Sequence, residues 1–269
     1  MSHREAQEGT RGLGPSWVDL HVHTVVSPCA EVEMIPPLII ERARELGLGA
    51  IAITDHNTAE NAAAVCKAAE GSGVTVFPGM EVQTREEAHI VCLFDTVAQA
   101  LTWQEVVYDH LPPLPNREEV FGAQFVVDET GDFVRMNERL LLTSCRLSSE
   151  EVVARVRTLG GLPIAAHVDR PGYSLLASLG FIPPGLALAA VEITHRTTPD
   201  EMAARHPGLT EWPMVISGDA HRLNEMRAST LVTWRNPCVA ELDLALRDVD
   251  GRRVKLFDAH QSPNQRAFT

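Results

Sequence analysis

No run of 18 apolar residues occurs in the 269-residue chain, so nothing in it reads as a membrane-spanning helix and no membrane partner is expected. The opening MSHREAQEGTRG has no apolar segment of the secretory-signal kind, which sets the expectation of a cytoplasmic protein. Its charged residues and glycines bury too little surface to offset ordering, so residues 1 to about 15 are expected to form a disordered arm. A long basic run is also missing. Lys and Arg number 23 against 36 Asp and Glu, a formal charge of −13. A non-specific grip on a nucleic acid backbone needs clustered cations. Extended nucleic acid is therefore the unlooked-for partner, and a small phosphorylated substrate the expected one. Five cysteines (29, 66, 92, 145 and 238) form no CxxC pair, which argues against a disulfide framework. There is no GxSxG elbow for a serine nucleophile, no internal repeat and no low-complexity tract. Oligomeric state is not legible.

What is present is a rhythm. Trp17 to His21 reads as a short buried strand, and "PPLIIERARELGLG" as a helix begun by Pro36 and Pro37 and ended at Gly47 or Gly49. "AIAIT" (50–54) is the next strand, continuous and apolar, as strands covered on both faces tend to be. "AENAAAVCKAAEGSG" reads as a helix, "VTVFPGMEV" as a strand and "AHIVCLF" (88–94) as another. The alternation resumes after residue 148 with the capped helix "SSEEVVARVRTLGG". Strands "LPIAAH", "ALAAVEIT" and "WPMVISGDAH" follow, then a helix "AELDLALRDVDG" and a closing strand "RRVKLF". This is the signature of an α/β fold. Residues 16–269 are read as one domain, interrupted at about 96–148 by an insertion or lid. That stretch is expected to include a hairpin around "DETGD".

Metal-competent residues recur at the strand ends. His21 and His23 end the first strand, and Asp55 and His56 follow the second. Glu81 ends the third, His89 begins the fourth, and His167 follows "LPIAA". Glu192 and His195 lie in or just after "ALAAVEIT", and Asp219 and His221 follow "MVIS". In α/β architectures that edge is where sites collect. Imidazole suits Zn, Fe and Mn, and carboxylates add hard oxygens, cancel charge and can bridge two ions. In an HxH pair on an extended segment both rings point to one side. Asp55 reads as a ligand or as an anchor for an imidazole. Glu192 and His195 read as site residues or as polar residues at the core edge.

The motifs "DLHVHT", "AIAITDHN", "FPGMEV", "AHIVCLF", "AAHVDR" and "SGDAH", in this order from about residue 18 to 225, resemble those of the PHP (polymerase and histidinol phosphatase) family. The resemblance implies a distorted, TIM-like (β/α)7 barrel of seven parallel strands, with a site at its rim for two or three divalent ions (Zn, Mn or Fe). It implies one ion on His21, His23, Glu81 and Asp219, and a second on Glu81, His89 and His167. A third would sit on His56, His221 and a residue of the loop after HxH. Here "SPCAEVEM" departs from the shorter loop common in the family, leaving Cys29, Glu31 or Glu33 for that place. The resemblance further implies a metal-dependent phosphoesterase that cleaves a phosphate ester with metal-bound hydroxide. Arg170, three residues after His167, is expected to hold substrate phosphate, with Arg222 as a second candidate. His195 is placed as proton donor. Gln124, Arg135 and Arg139 are candidates to reach substrate from the insertion. The expected substrate is a small phosphorylated metabolite or nucleotide. Alternatives are a nuclease acting on short oligonucleotides, a non-phosphate metal hydrolase and a non-catalytic regulatory module.

Overall fold

Two apolar layers decide which way the strands face. The computed structural model describes residues 12–257. The expected arm, residues 1 to about 15, falls mostly outside this range. The first half of the described chain runs β1 (Gly14–Val22), α1 (Pro36–Glu45), β2 (Leu48–Ile53), α2 (Ala62–Ala68), β3 (Thr75–Gln83) and β4 (His89–Leu93). The middle carries α3 (Val97–His110), α4 (Glu118–Phe121) and the hairpin β5 (Phe125–Val127) and β6 (Phe133–Met136). Then come α5 (Ser149–Thr158), β7 (Leu162–Ala165), α6 (Leu175–Leu179), β8 (Ala190–Ile193), α7 (Pro199–Arg205) and β9 (Met214–Ile216). The last described elements are β10 (Thr230–Trp234), α8 (Val239–Leu246) and β11 (Arg253–Leu256).

The main sheet has the order β11-β10-β1-β2-β3-β4-β7-β8-β9. Seven of these strands form a nearly closed barrel. Just past β9, the Ala220 N–H donates to the His21 carbonyl (3.1 Å), and the His23 N–H donates to the Ala220 carbonyl (2.9 Å). The run after β9 thus lies alongside the end of β1 and joins the first strand to the last. β10 and β11 add antiparallel strands beside the early part of β1. No helix among the described residues is long and apolar enough to cross a membrane.

This is the distorted seven-stranded barrel, with one departure from seven parallel strands: β4 runs antiparallel to both β3 and β7. The cause is the linker. Only residues 84–88 separate β3 from β4, enough for a hairpin and too few for the crossover a parallel return needs. The reversal is what puts His89, the first residue of β4, at the same rim as Glu81 near the end of β3.

A second irregularity matters as much. Val18 and Leu20 of β1 join an inner apolar cluster with Ala50, Ala52, Phe77 and Ile164. Val22 instead joins the outer cluster beneath α1 and α2, with Ile39, Ile53 and Val65. The register of β1 on β2 slips between Asp19 and Val22, a bulge of the kind that re-aims side chains. Past the slip, His21 and His23 take the inward places.

The 96–148 stretch contains the expected hairpin, with the Asp128 carboxylate accepting from the Thr130 and Asp132 N–H groups in its turn. It also contains a 14-residue helix, α3, that the sequence reading passed over. Thr96 and Gln99 form a capping box at its start. Its face Ala100, Trp103, Gln104 and Val107 is buried.

Candidate metal centre

Glu81 sits at the middle of the site, 1% exposed. Its two oxygens meet five imidazoles: His89 Nδ1 (2.8 Å), His56 Nδ1 (2.9 Å), His167 Nε2 (3.1 Å), His21 Nε2 (3.3 Å) and His23 Nε2 (3.6 Å). Asp219 lies opposite, with Oδ1 3.1 Å from His23 Nε2 and 3.2 Å from His21 Nε2. The His221 ring stacks on His23, centroids 4.0 Å apart. Asn57, His167, Tyr173 and Asp219 all hold positive φ, from 27° to 57°. Such left-handed backbone in bulky residues is strained, and strain of this kind gathers at functional sites.

Neighbouring groups set how these rings point. His21 Nδ1 meets both Glu192 oxygens at 3.1 Å. A carboxylate only accepts, so that nitrogen carries the proton and Nε2 presents its lone pair to the centre. The Ser27 hydroxyl donates to Asp55 (2.7 Å) and so accepts from His23 Nδ1 (3.0 Å). His221 Nδ1 donates to the Asp219 carbonyl (3.0 Å). In each case Nε2 is left as an electron-pair donor. Asp55 therefore does not touch the His56 ring. It takes the Thr24 N–H (2.6 Å) and the Thr24 and Ser27 hydroxyls, and holds the loop that orients His23.

The donor set fits divalent ions. His21 Nε2, Glu81 Oε2 and His89 Nδ1 lie within ion-pair distance of their neighbours, but these buried atoms, with His89 Nε2 and His167 Nδ1, make no well-aligned hydrogen bond, a costly state for polar atoms unless a cation satisfies them. Three groups of electron-pair donors converge: His21, His23, Glu81 and Asp219; His56, Glu81 and His89; and His23, His56 and His221. The site is thus multi-metal in character, with places for two or three divalent ions. The first group is the expected one. In the second, His56 stands with Glu81 and His89, while His167 approaches Glu81 from beside it.

The electrostatics agree. Burial opposes ionisation of Glu81, but His89 and His21 overcome it and hold its carboxyl well below the usual range. Asp219 is likewise held low, against burial, by His21 and His23. Burial, then His221 and His56, push the His23 imidazole well below its ordinary value. Of the three loop candidates, the structure brings Cys29 to the ring pair. Burial raises its thiol, yet the neighbouring His221 and His56 imidazoles bring it down to about 6. Glu31 turns outward to Arg222, 2.9 Å away, and Glu33 makes no side-chain hydrogen bond or ion pair among the described residues.

Beside the centre opens a cleft of about 780 Å³. Arg170 projects into it and pairs through Nη2 with Asp219 Oδ2 at 2.6 Å, so the residue faces the metal centre. His195 lines the same cleft. Burial, then Arg227 and Arg196, push its imidazole down. Arg196, Arg205, Arg222 and Arg227 are also in the wall, giving five arginines with Arg170. Gln124, Arg135 and Arg139 are elsewhere: Gln124 is buried under the hairpin, Arg135 pairs with Glu60, and Arg139 lies over the Tyr108 ring. Sequence reasoning missed Asp19, Ser27, Arg205 and Arg227. Asp19 is fully buried and takes the Gly218 (2.9 Å) and Arg227 (2.8 Å) N–H groups. Its polar side chain inside an apolar strand was the available signal.

Fold and site together define a barrel whose rim carries a metal-binding donor set. Residues 19–128 match the model of the PHP domain. Among curated proteins it is 37% identical over 83 residues to the 5'-3' exoribonuclease Rnm of Escherichia coli (strain K12), covering 28% of this chain and 26% of that one. Among solved structures it resembles a lesion-specific endonuclease from Pyrococcus furiosus, with TM-score 0.66 and 19% identity over 90% of this chain and 58% of the other. Endonuclease Q in complex with a 27-mer duplex bearing an abasic lesion at its active site matches with TM-score 0.66 and 19% identity, over 91% and 60%. The chain therefore spans about a quarter of the curated relative and about six-tenths of the endonuclease chains. At these identities the structural likeness is one of fold.

One expectation is overturned. Net charge argued against extended nucleic acid as a partner, yet a chain of this fold holds a 27-mer duplex. The physical reason is that −13 is a sum over the whole chain, whereas binding depends on the local field. Five arginines share the cleft wall beside the metal centre.

Proposed function

We propose that the chain is a metal-dependent nuclease that hydrolyses phosphodiester bonds in oligonucleotides. The observation that carries this reading is the arginine-lined cleft opening on the metal centre. A lone phosphomonoester needs one or two cations, while a strand carries a charge at every step. The named activities of the Escherichia coli relative and of endonuclease Q support the same reading.

His21, His23, His56, Glu81, His89, His167, Asp219 and His221 hold the ions, with Cys29 completing the outermost position. Zn, Fe and Mn all suit this mixture of imidazole, carboxylate and thiol. Bound there, divalent ions supply Lewis acidity and an activated water. Arg170 offers paired N–H donors to the non-bridging oxygens of the scissile phosphate, from a position already beside Asp219. His195, in the same cleft wall, is assigned to protonate the leaving oxygen. Burial and nearby arginines disfavour its protonated form. An anionic substrate among those arginines reverses their field and restores that form.

The test is hydrolysis by protein loaded separately with Zn, Mn or Fe. Substrates are RNA and DNA oligonucleotides alongside simple phosphomonoesters, with His21→Ala as control. The expected outcome is shortening of oligonucleotides that His21→Ala abolishes. Hydrolysis confined to phosphomonoesters, or none at full metal load, overturns the reading.

A further inference from the structure

Four carboxylates share the cleft with the five arginines, and each is already engaged. Asp219 pairs with Arg170 and the metal-centre imidazoles. Glu192 holds His21 and takes the His167 N–H. Asp169 accepts from the Thr194 N–H (2.9 Å) and hydroxyl (2.5 Å). Glu225 accepts the His221 N–H (2.9 Å). Arg222 is drawn aside by Glu31. Arg196, Arg205 and Arg227 are left with no ion pair among the described residues. Cations of like sign gathered in one wall repel one another, and an anion among them relieves that cost.

Two further atoms in this wall lack partners. Arg227 Nε and Ser217 Oγ are buried without a hydrogen bond. Both are donors, and both lie in the cleft lining. One buried group places them: Asp19 accepts the N–H of Gly218, next to Ser217, and the N–H of Arg227 itself. No side chain fits closer behind Gly218, where a Cβ would come within 2.7 Å of Asp19 Oδ2.

We propose that Arg227 and Ser217, with Arg196 and Arg205 at the mouth, form a second anion subsite for the phosphate next to the scissile one. This inference rests on the nuclease reading and adds that the enzyme reads two successive phosphates. The metal centre and Arg170 take the first and this subsite takes the second.

The experiment compares metal-loaded protein on a dinucleotide without terminal phosphates and on the same dinucleotide phosphorylated at its 5′ or its 3′ end. Wild type is expected to favour one phosphorylated form by about tenfold or more in kcat/KM, the scale of a charge-assisted hydrogen bond. In Arg227→Gln the preference falls toward unity through KM, and the exposed Arg196→Gln lowers it partway. Binding of a labelled hexanucleotide in EDTA gives a readout independent of turnover. The slope of log affinity against log salt is expected to flatten by about 0.7 for each arginine removed. Equal preference in wild type and Arg227→Gln, or an unchanged salt slope, overturns the subsite while leaving the nuclease reading in place. Failure of wild type to cleave any dinucleotide or oligonucleotide removes both.

Discussion

At the scale of single residues, the centre depends on groups that never face an ion. Glu192 fixes the proton of His21 on Nδ1, and without it the ring is free to turn its N–H inward. Glu192→Gln keeps the size but weakens the charge-assisted bond. It is expected to lower metal affinity by about 10- to 100-fold, the usual cost of losing such a support, while the chain stays folded. Competition with a chromogenic chelator measures this, and unchanged affinity would show that His21 is oriented by packing alone. The rim pattern was legible because each of His21, His23, His56, Glu81, His89, His167, Asp219 and His221 stands at a strand end, where chemistry collects. Arg205 and Arg227 were not legible. They sit on separate segments, and only the fold brings them into one wall.

At the scale of elements, the order of strands and helices could be read, but their directions and offsets could not. A five-residue apolar strand such as β4 carries no sign of its direction; only the shortness of residues 84–88 betrays the hairpin. Strict alternation in β1 would put His21 and His23 opposite the inward-facing Val18 and Leu20. The bulge before Val22 brings them in, and nothing in the residue types announces it. Helix α3 was hidden for a different reason. Its buried stripe includes Gln104, polar yet satisfied by the Thr58 hydroxyl (3.0 Å) and the Ala59 N–H (2.8 Å). The same helix drives Trp103, fully buried, into the outer core. Trp103→Ala is expected to cost about 3 to 5 kcal/mol, read as a lowered denaturant midpoint at unchanged slope. A cost below about 1 kcal/mol, on the scale of a surface substitution, would mean α3 contributes little to the core.

At the scale of the whole molecule, the net charge misled because it averages over a surface whose parts act separately. Within the cleft four carboxylates accompany five arginines, yet Arg196, Arg205 and Arg227 have no ion pair among the described residues, and it is their position that a substrate meets. The seam of the barrel ties this chemistry to the fold. Asp219 and His221 flank Ala220, whose backbone joins the last strand to the first. An ion held as proposed by His21, His23 and Asp219 would therefore grip both sides of the seam and act as a clasp on the closed ring. Ligands that bind only the folded form stabilise it by mass action, about 2.7 kcal/mol at 100 times Kd for one site. Stripping the ions is accordingly expected to lower Tm. It should also speed hydrogen exchange first at the His23 and Ala220 amides, ahead of those in β2 and β3; uniform acceleration across the sheet would rule the clasp out. An enzyme built this way monitors its own readiness: a chain whose ring has not shut has no complete centre, and a chain that has gathered its ions is held shut by them.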